Sequence, residues 1–276
     1  MWRGHLLVIG LGVAGGLPLA GTQWFDDQPP HDQRRVAQPV ISDHPLMPVL
    51  EFAEQAQRRL QNSAPSHRCR LLKRERIDGR LQEERAIEMC VREGEKLSVW
   101  MDFQAPAEVA GRRILYVEGE HDGRMLVRKG GRRLDFVVLR LDPLGHKAQA
   151  ESLVPLTQVG FQRVLSGMVA VLQAQIEADP QAANTQVQWI EEADLDGQAC
   201  QIVRITHPSR DEALGLYQAT AYIDRGLGVP VRIEAYGWPD RPGDAPPLIA
   251  EYTYTNLEWN APLADDCFDP GRLRGD

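Results

Sequence analysis

The chain has 276 residues, 43% of them hydrophobic and 25% charged, and a net charge of −8. That balance argues against nucleic acid as a principal partner, because phosphate binding needs a positive field. The four cysteines, Cys69, Cys90, Cys200 and Cys267, form no C-x-x-C pair, which removes the zinc and thioredoxin-like patterns and leaves disulfides or free buried thiols open.

Residues 1–23 read as a signal peptide. Arg3 gives a basic start, Leu6 to Ala20 is an apolar run without charge, and Ala20 and Gly21 form a small-residue exit before Thr22. The run falls short of the ~20 apolar residues needed to span a bilayer. A periplasmic or secreted product is therefore expected, with a retained N-terminal membrane anchor as the alternative. Thr22 stands where a lipoprotein would carry its acylated Cys, so N-terminal lipidation is not expected. Residues 24–43 include Pro29, Pro30, Pro39, Arg34 and Arg35 and read as a flexible linker that cannot bury apolar surface. Residues 44–270 read as a single domain long enough for a substantial core, and 271–276 as a C-terminal tail.

Within the domain, the spacing of Leu46, Val49, Leu50, Ala53 and Leu60 predicts a helix over 45–61, with Asp43 as cap and Pro45 in the first turn. Strands are predicted over 67–77 and 80–92, flanking an Asp78-Gly79 hairpin turn, and over 96–103. Further strands follow over 113–118, 123–128 and 132–141. A second helix is predicted over 158–178, capped by Thr157, with a broad apolar face that includes Phe161, Leu165, Leu172 and Ile176. The last strands span 185–192, 199–206, 217–224, 229–236 and 248–259, the first two joined at Asp196-Gly197. About eleven strands at this spacing imply a mainly β (α+β) fold. Its antiparallel sheet must curl into a half-open barrel, with the two main helices as cover.

Three stretches carry a family resemblance. They are Phe103-Gln104-Ala105-Pro106 through Val117, Ile223-Asp224-Arg225-Gly226-Leu227-Gly228-Val229-Pro230-Val231-Arg232-Ile233-Glu234 through Tyr236, and Glu251-Tyr252-Thr253-Tyr254-Thr255-Asn256-Leu257 through Pro270. The chain resembles the LolA/LolB-like, outer-membrane lipoprotein-sorting superfamily and, within it, a bacterial family of secreted proteins with no assigned function. The resemblance covers about 45–270. It implies an incomplete eleven-stranded barrel, covered by helices, around an apolar cavity. Members with known roles carry acylated lipoproteins across the periplasm or sense envelope stress. No individual functional residue carries over from it.

No catalytic, cofactor or metal motif emerges from the residues. His67 and Cys69 share a strand face, but two ligands do not make a zinc site; a partly exposed histidine beside an inert cysteine is expected. The acidic pairs Glu83-Glu84, Glu191-Glu192 and Asp265-Asp266 do not converge, because strand neighbours point to opposite faces. Lys129-Gly130-Gly131-Arg132-Arg133 lacks phosphate-loop spacing and reads as a hairpin turn. Arg68, Arg70, Lys73, Arg74 and Arg76 read as a solvated outer face, with contact to an anionic lipid surface or a partner as the sharper reading.

The alternating strand faces carry the binding expectation. Leu97, Val99, Met101, Phe103, Leu115, Val117, Leu134, Phe136, Val138, Val229, Val231 and Ile233 are the candidate ligand-binding residues of an apolar concave face. Ordinary core beneath the helices is the alternative. A cavity of this kind needs only apolar volume, since each buried methylene contributes about 0.8 kcal/mol. The expected function is a non-enzymatic, monomeric carrier or chaperone for a lipid or an acylated protein, with peripheral membrane contact. An envelope interaction or stress-sensing module with a packed core and a protein partner is the alternative.

Overall fold

The computed structural model describes residues 43–61, 66–130 and 137–274. The signal peptide and almost all of the linker read from the sequence, together with Leu134 and Phe136, lie outside the described residues. So do residues 131–133 of the basic Gly-rich turn.

Among the described residues, twelve strands form one antiparallel sheet. In chain order they are β1 (Ser66–Ile77), β2 (Arg80–Leu81), β3 (Arg85–Arg92), β4 (Ser98–Ala105), β5 (Arg113–Val117), β6 (Met125–Arg128) and β7 (Val138–Leu141), then β8 (Gln186–Leu195), β9 (Gln198–Thr206), β10 (Gln218–Asp224), β11 (Pro230–Tyr236) and β12 (Leu248–Trp259). The spatial order is β7-β6-β5-β4-β3-β1-β12-β11-β10-β9-β8, with β2 paired to β1 alone. The sheet is mainly what the turn signals predict: two antiparallel meanders. They are joined at a central seam where β1 pairs with β12, setting Leu71 opposite Tyr254 and Lys73 opposite Tyr252. The sheet does not close, because β7 and β8 remain its two edges.

Both two-residue turns form where Asp-Gly predicts them. Asp78 and Gly79 have φ of 48° and 79°, and Asp196 and Gly197 have 53° and 87°, the left-handed pair required by the tight turn that matches strand twist. The strand expected over 80–92 is interrupted after Leu81 and resumes at Arg85.

The chain crosses from edge β7 to edge β8 through the short helix α2 (His146–Gln149), an irregular segment and the long helix α3 (Phe161–Ala178). Helix α1 (Met47–Gln61) precedes β1 and packs on α3. The apolar stripes read from the sequence face the sheet. Leu46, just before α1, and Val49, Leu50 and Ala53 of α1 meet Val169, Leu172 and Ile176 of α3 over Val203, Ile205, Ala221 and Ile223. Nearer the seam, Ala56, Leu60, Phe161 and Leu165 join Leu71, Ile87, Val99 and Met101 in the largest core cluster.

Helix α3 starts three residues later than its periodicity suggests, and Thr157 does not cap it. Gly160 is the cap residue, with φ 104°, and the capping acceptor comes from across the fold. Glu93 Oε1 accepts the Gln162 backbone N–H at 2.9 Å. A short 3-10 turn at Leu156–Gln158 occupies the start of the expected helix.

A third cluster lies on the convex face. Cys90, Trp100, Leu115, Val117 and Leu126 are covered there by Cys267, Phe268 and Leu273. Leu273 falls in the segment read as a tail, yet it is 1% exposed within a 3-10 turn spanning Pro270–Arg274. All four cysteines are free and buried. Cys69 sits opposite Met89 and Cys90 opposite Arg68, so these two thiols point to opposite faces of the sheet and lie in different clusters.

Candidate functional site

A cavity of about 190 Å³ opens on the concave side of the sheet's N-terminal half. Its floor comes from alternate residues of successive strands: Leu71, Ile87, Met101 and Phe103, Ile114, Met125 and Val127, and Leu139 and Leu141, with Ile233, Tyr252 and Tyr254 beyond the seam. The registers explain the convergence, since Ile114 lies opposite both Met101 and Val127. The roof is the irregular segment between β7 and α3, contributing Pro143, Val154, Pro155, Leu156 and Val159, with Val164 from α3.

Of the described sequence-selected residues, Met101, Phe103 and Ile233 line this cavity. Leu97, Val99, Val229 and Val231 belong to the main core cluster, each at most 1% exposed, and pack without lining it. Leu115 and Val117 are corrected to the convex face: Leu115 lies opposite Trp100, and both enter the convex cluster. Their neighbours Ile114 and Tyr116 face inward instead. Val138 is also misplaced by the sequence reading. It is 37% exposed, whereas Leu139 and Leu141 of the same strand reach the cavity.

Polar groups meet the cavity where β1 and β12 adjoin. Lys73 Nζ donates to Glu75 Oε2 and to Ser152 Oγ, each at 2.9 Å. Tyr252 donates its hydroxyl to Glu75 Oε1 at 2.7 Å. Burial pushes the Glu75 carboxyl up, but the Lys73 ammonium and the Tyr252 hydroxyl outweigh it and hold the group below the ordinary range. Burial, together with the adjacent Glu75 charge, pushes the Tyr252 phenol well above its usual value. Lys73 therefore departs from the solvated outer face expected for it: its side chain is 11% exposed and turned into the concave side. The outer-face reading describes Arg68 and Arg70, whose guanidinium groups lie 3.5 and 3.6 Å from Glu258 and Glu88.

Ser152 beside Lys73 invites a nucleophile–base reading, but the hydrogen bonds run the wrong way for it. Ser152 receives the Lys73 hydrogen and gives its own to Val154 O at 2.9 Å, or to Glu75. An activated serine must instead donate to its base. The arrangement is a clasp between β1 and the roof. A second tie is formed by Arg112 and Glu151, and a third by Arg85, which donates to Glu151 O at 3.0 Å.

Next to the cavity, a buried ring cluster anchors the start of α3. Phe161 lies 4.9 Å from both His67 and Tyr254 between ring centroids. His67, expected to be partly exposed, is 0% exposed with neither ring nitrogen hydrogen-bonded, and burial pushes it down to about 4. Cys69 on the same strand is pushed up to about 12, chiefly by burial, which leaves it an inert thiol.

The fold and its apolar concave cavity define a mainly β protein with an open, helix-covered antiparallel sheet. The chain belongs to the family described as Protein of unknown function (DUF1571), whose model matches residues 64–273. Among solved structures, a DUF1329 family protein from Desulfovibrio piger is similar at 14% identity, covering 83% of this chain and 99% of that one, with a TM-score of 0.38. A LolA superfamily protein from Nitrosomonas europaea matches at 11% identity over 80% of this chain and 97% of that one, TM-score 0.34. The MucA/MucB complex of Pseudomonas aeruginosa matches at 13% identity over 82% of this chain and 62% of that one, TM-score 0.44. None of the curated proteins compared matches the chain.

Proposed function

We propose that this is an exported, non-enzymatic binding protein that takes the apolar chain of a lipid or of an acylated protein into the concave cavity. The observation that supports it most is the cavity itself: an apolar floor drawn from both halves of the sheet, beneath a roof of irregular chain. The basic, apolar and small-residue pattern at 1–23 supports export. Each methylene buried there contributes about 0.8 kcal/mol gross, before ordering costs.

Native mass spectrometry of the purified protein, followed by titration of the delipidated protein with a fluorescent fatty acid, tests the proposal. Co-purifying lipid or saturable uptake is expected, and Ile233→Trp, which fills the cavity floor, should weaken uptake about tenfold while leaving the circular dichroism spectrum unchanged. Neither lipid nor uptake would sink the proposal in favour of a packed envelope module with a protein partner.

A further inference from the structure

The charges around the cavity are one-sided. Among the described residues six cationic side chains line it, Lys73, Arg85, Arg112, Lys129, Lys147 and Arg163, against a single carboxylate, Glu151. The whole chain has the opposite sign, at −8. Such a concentration of one charge in a cleft with apolar walls raises the local concentration of the opposite ion.

The existing pairs neutralise only part of it. Lys73 is held by Glu75 and Arg163 by Glu118, the latter pair at 2.7 Å. Arg112 pairs with Glu151 and lies over the Phe103 ring, 5.6 Å from its centroid. Arg85 donates to a neutral carbonyl, Glu151 O, and its charge also acts on the Glu75 carboxylate, which Lys73 already holds. Lys147 has no carboxylate partner among the described residues. Lys147 and Lys129 are exposed, which marks their side of the cavity as the mouth. Glu151, the one anion in the lining among the described residues, already occupies the Arg112 guanidinium there with its side chain 52% exposed.

We infer that the ligand is a single-chain amphiphile with an anionic headgroup, a carboxylate or a phosphate. Its alkyl chain lies along Met101, Phe103 and Ile114, and its headgroup lies at the mouth against Arg85, Arg112 and Lys147. This rests on the cavity being the binding site, as proposed above, and adds the chemistry of the headgroup. The headgroup stands in the same relation to Arg112 as the Glu151 carboxylate does now, so ligand and Glu151 compete for that guanidinium.

The test is calorimetric titration of the full chain, delipidated, with four 12-carbon amphiphiles below their micellar concentrations: dodecanoate, dodecyl phosphate, dodecanol and dodecyltrimethylammonium. At low salt either anion should bind about tenfold more tightly than the alcohol, the scale of one or two partly desolvated ion pairs, and the cation more weakly. The advantage should shrink as salt screens the mouth. The stronger of the two anions identifies the headgroup as carboxylate or phosphate. The double variant R85Q/K147Q should bring the anion within about threefold of the alcohol, both affinities being measured on the same variant. Glu151→Gln should raise the ratio of anion to alcohol affinity, which keeps the inference testable if the double variant fails to fold; an unchanged or lower ratio counts against it. Alcohol binding as tight as the anions would overturn the headgroup inference and leave the cavity assignment standing. Absence of binding by all four would overturn both.

Discussion

Replacing Glu93 by glutamine should stabilise the protein near neutral pH and change little near pH 4.5. Glu93 is 4% exposed. Burial pushes its carboxyl up to about 7, although the N–H groups of Gln162, Phe161 and Arg163 at the start of α3 favour the anion. A carboxyl whose folded value is raised contributes its stability in full below the unfolded value of 4.5, and that contribution is lost as pH rises through about 7. The interval from 4.5 to about 7 corresponds to about 3 kcal/mol. Glutamine keeps an oxygen for the Gln162 N–H and never ionises, so it escapes this loss. The parent should mask the effect, because His67 opposes it. Burial pushes His67 down to about 4, so its stabilisation is present above its unfolded value of 6.5 and is lost as pH falls through about 4. The two groups run in opposite directions across one window and offset each other. Urea unfolding of parent and Glu93→Gln, followed by tryptophan fluorescence at pH 4.5, 5.5, 6.5 and 7.5, reads the difference directly. The variant's gain should grow to about 2–3 kcal/mol at pH 7.5 and vanish near pH 4.5. A difference that stays constant with pH, or a loss at pH 7.5, would refute burial as the dominant influence on this carboxyl.

Two further predictions concern packing. Gly160→Ala should cost about 2–4 kcal/mol, measured by denaturant unfolding, because φ there is 104° and an added Cβ would lie 2.4 Å from Glu93 Oε1; a cost under about 0.5 kcal/mol would show that the capping glutamate moves aside freely. Leu273→Ala should cost about 2–5 kcal/mol by the same measurement, since Leu273 is 1% exposed against the convex face, whereas a true tail residue would leave the midpoint unchanged.

Much of the sheet was legible because turn chemistry and alternation agree. Asp78-Gly79 and Asp196-Gly197 each fix a hairpin, and the alternation from Leu97 to Phe103 fixes the inward face of β4. Alternation failed where both faces are buried. Ile114, Leu115, Tyr116 and Val117 are all apolar, so the run carries no sign of which parity points inward. The missing information lay more than 140 residues away, in the Cys267–Leu273 segment that covers Leu115 and Val117. The polar members of the site left a trace that composition alone could not interpret. His67, Cys69, Leu71, Lys73 and Glu75 share one parity of β1, so Lys73 and Glu75 sit at inward positions. Continuing the inward parity of Ile87, Met89 and Val91 likewise places Glu93 inside. Their partners Ser152, Tyr252 and Gln162 are far along the chain, which hides such a network from any local pattern. The roof had no period to read.

The absence of a polar signature follows from how the sheet is covered. Eleven strands in sequence, about 4.8 Å apart, make a sheet roughly 48 Å across if flat. Two helices of 15 and 18 residues are about 22 and 27 Å long and each about 10 Å wide. Neither dimension of the pair covers that width, so the sheet curls and the chain between β7 and α3 covers what the helices leave. Helical side chains interdigitate with a sheet to native density. A segment punctuated by Pro143 and Pro155 presents no regular ridge, and beneath it the strand floor stays partly unfilled. The cavity is thus placed by where helical cover ends. On the proposed reading, affinity for an apolar chain would need no specific residue in the floor, and specificity for the headgroup would fall to Arg85, Arg112 and Lys147 at the mouth.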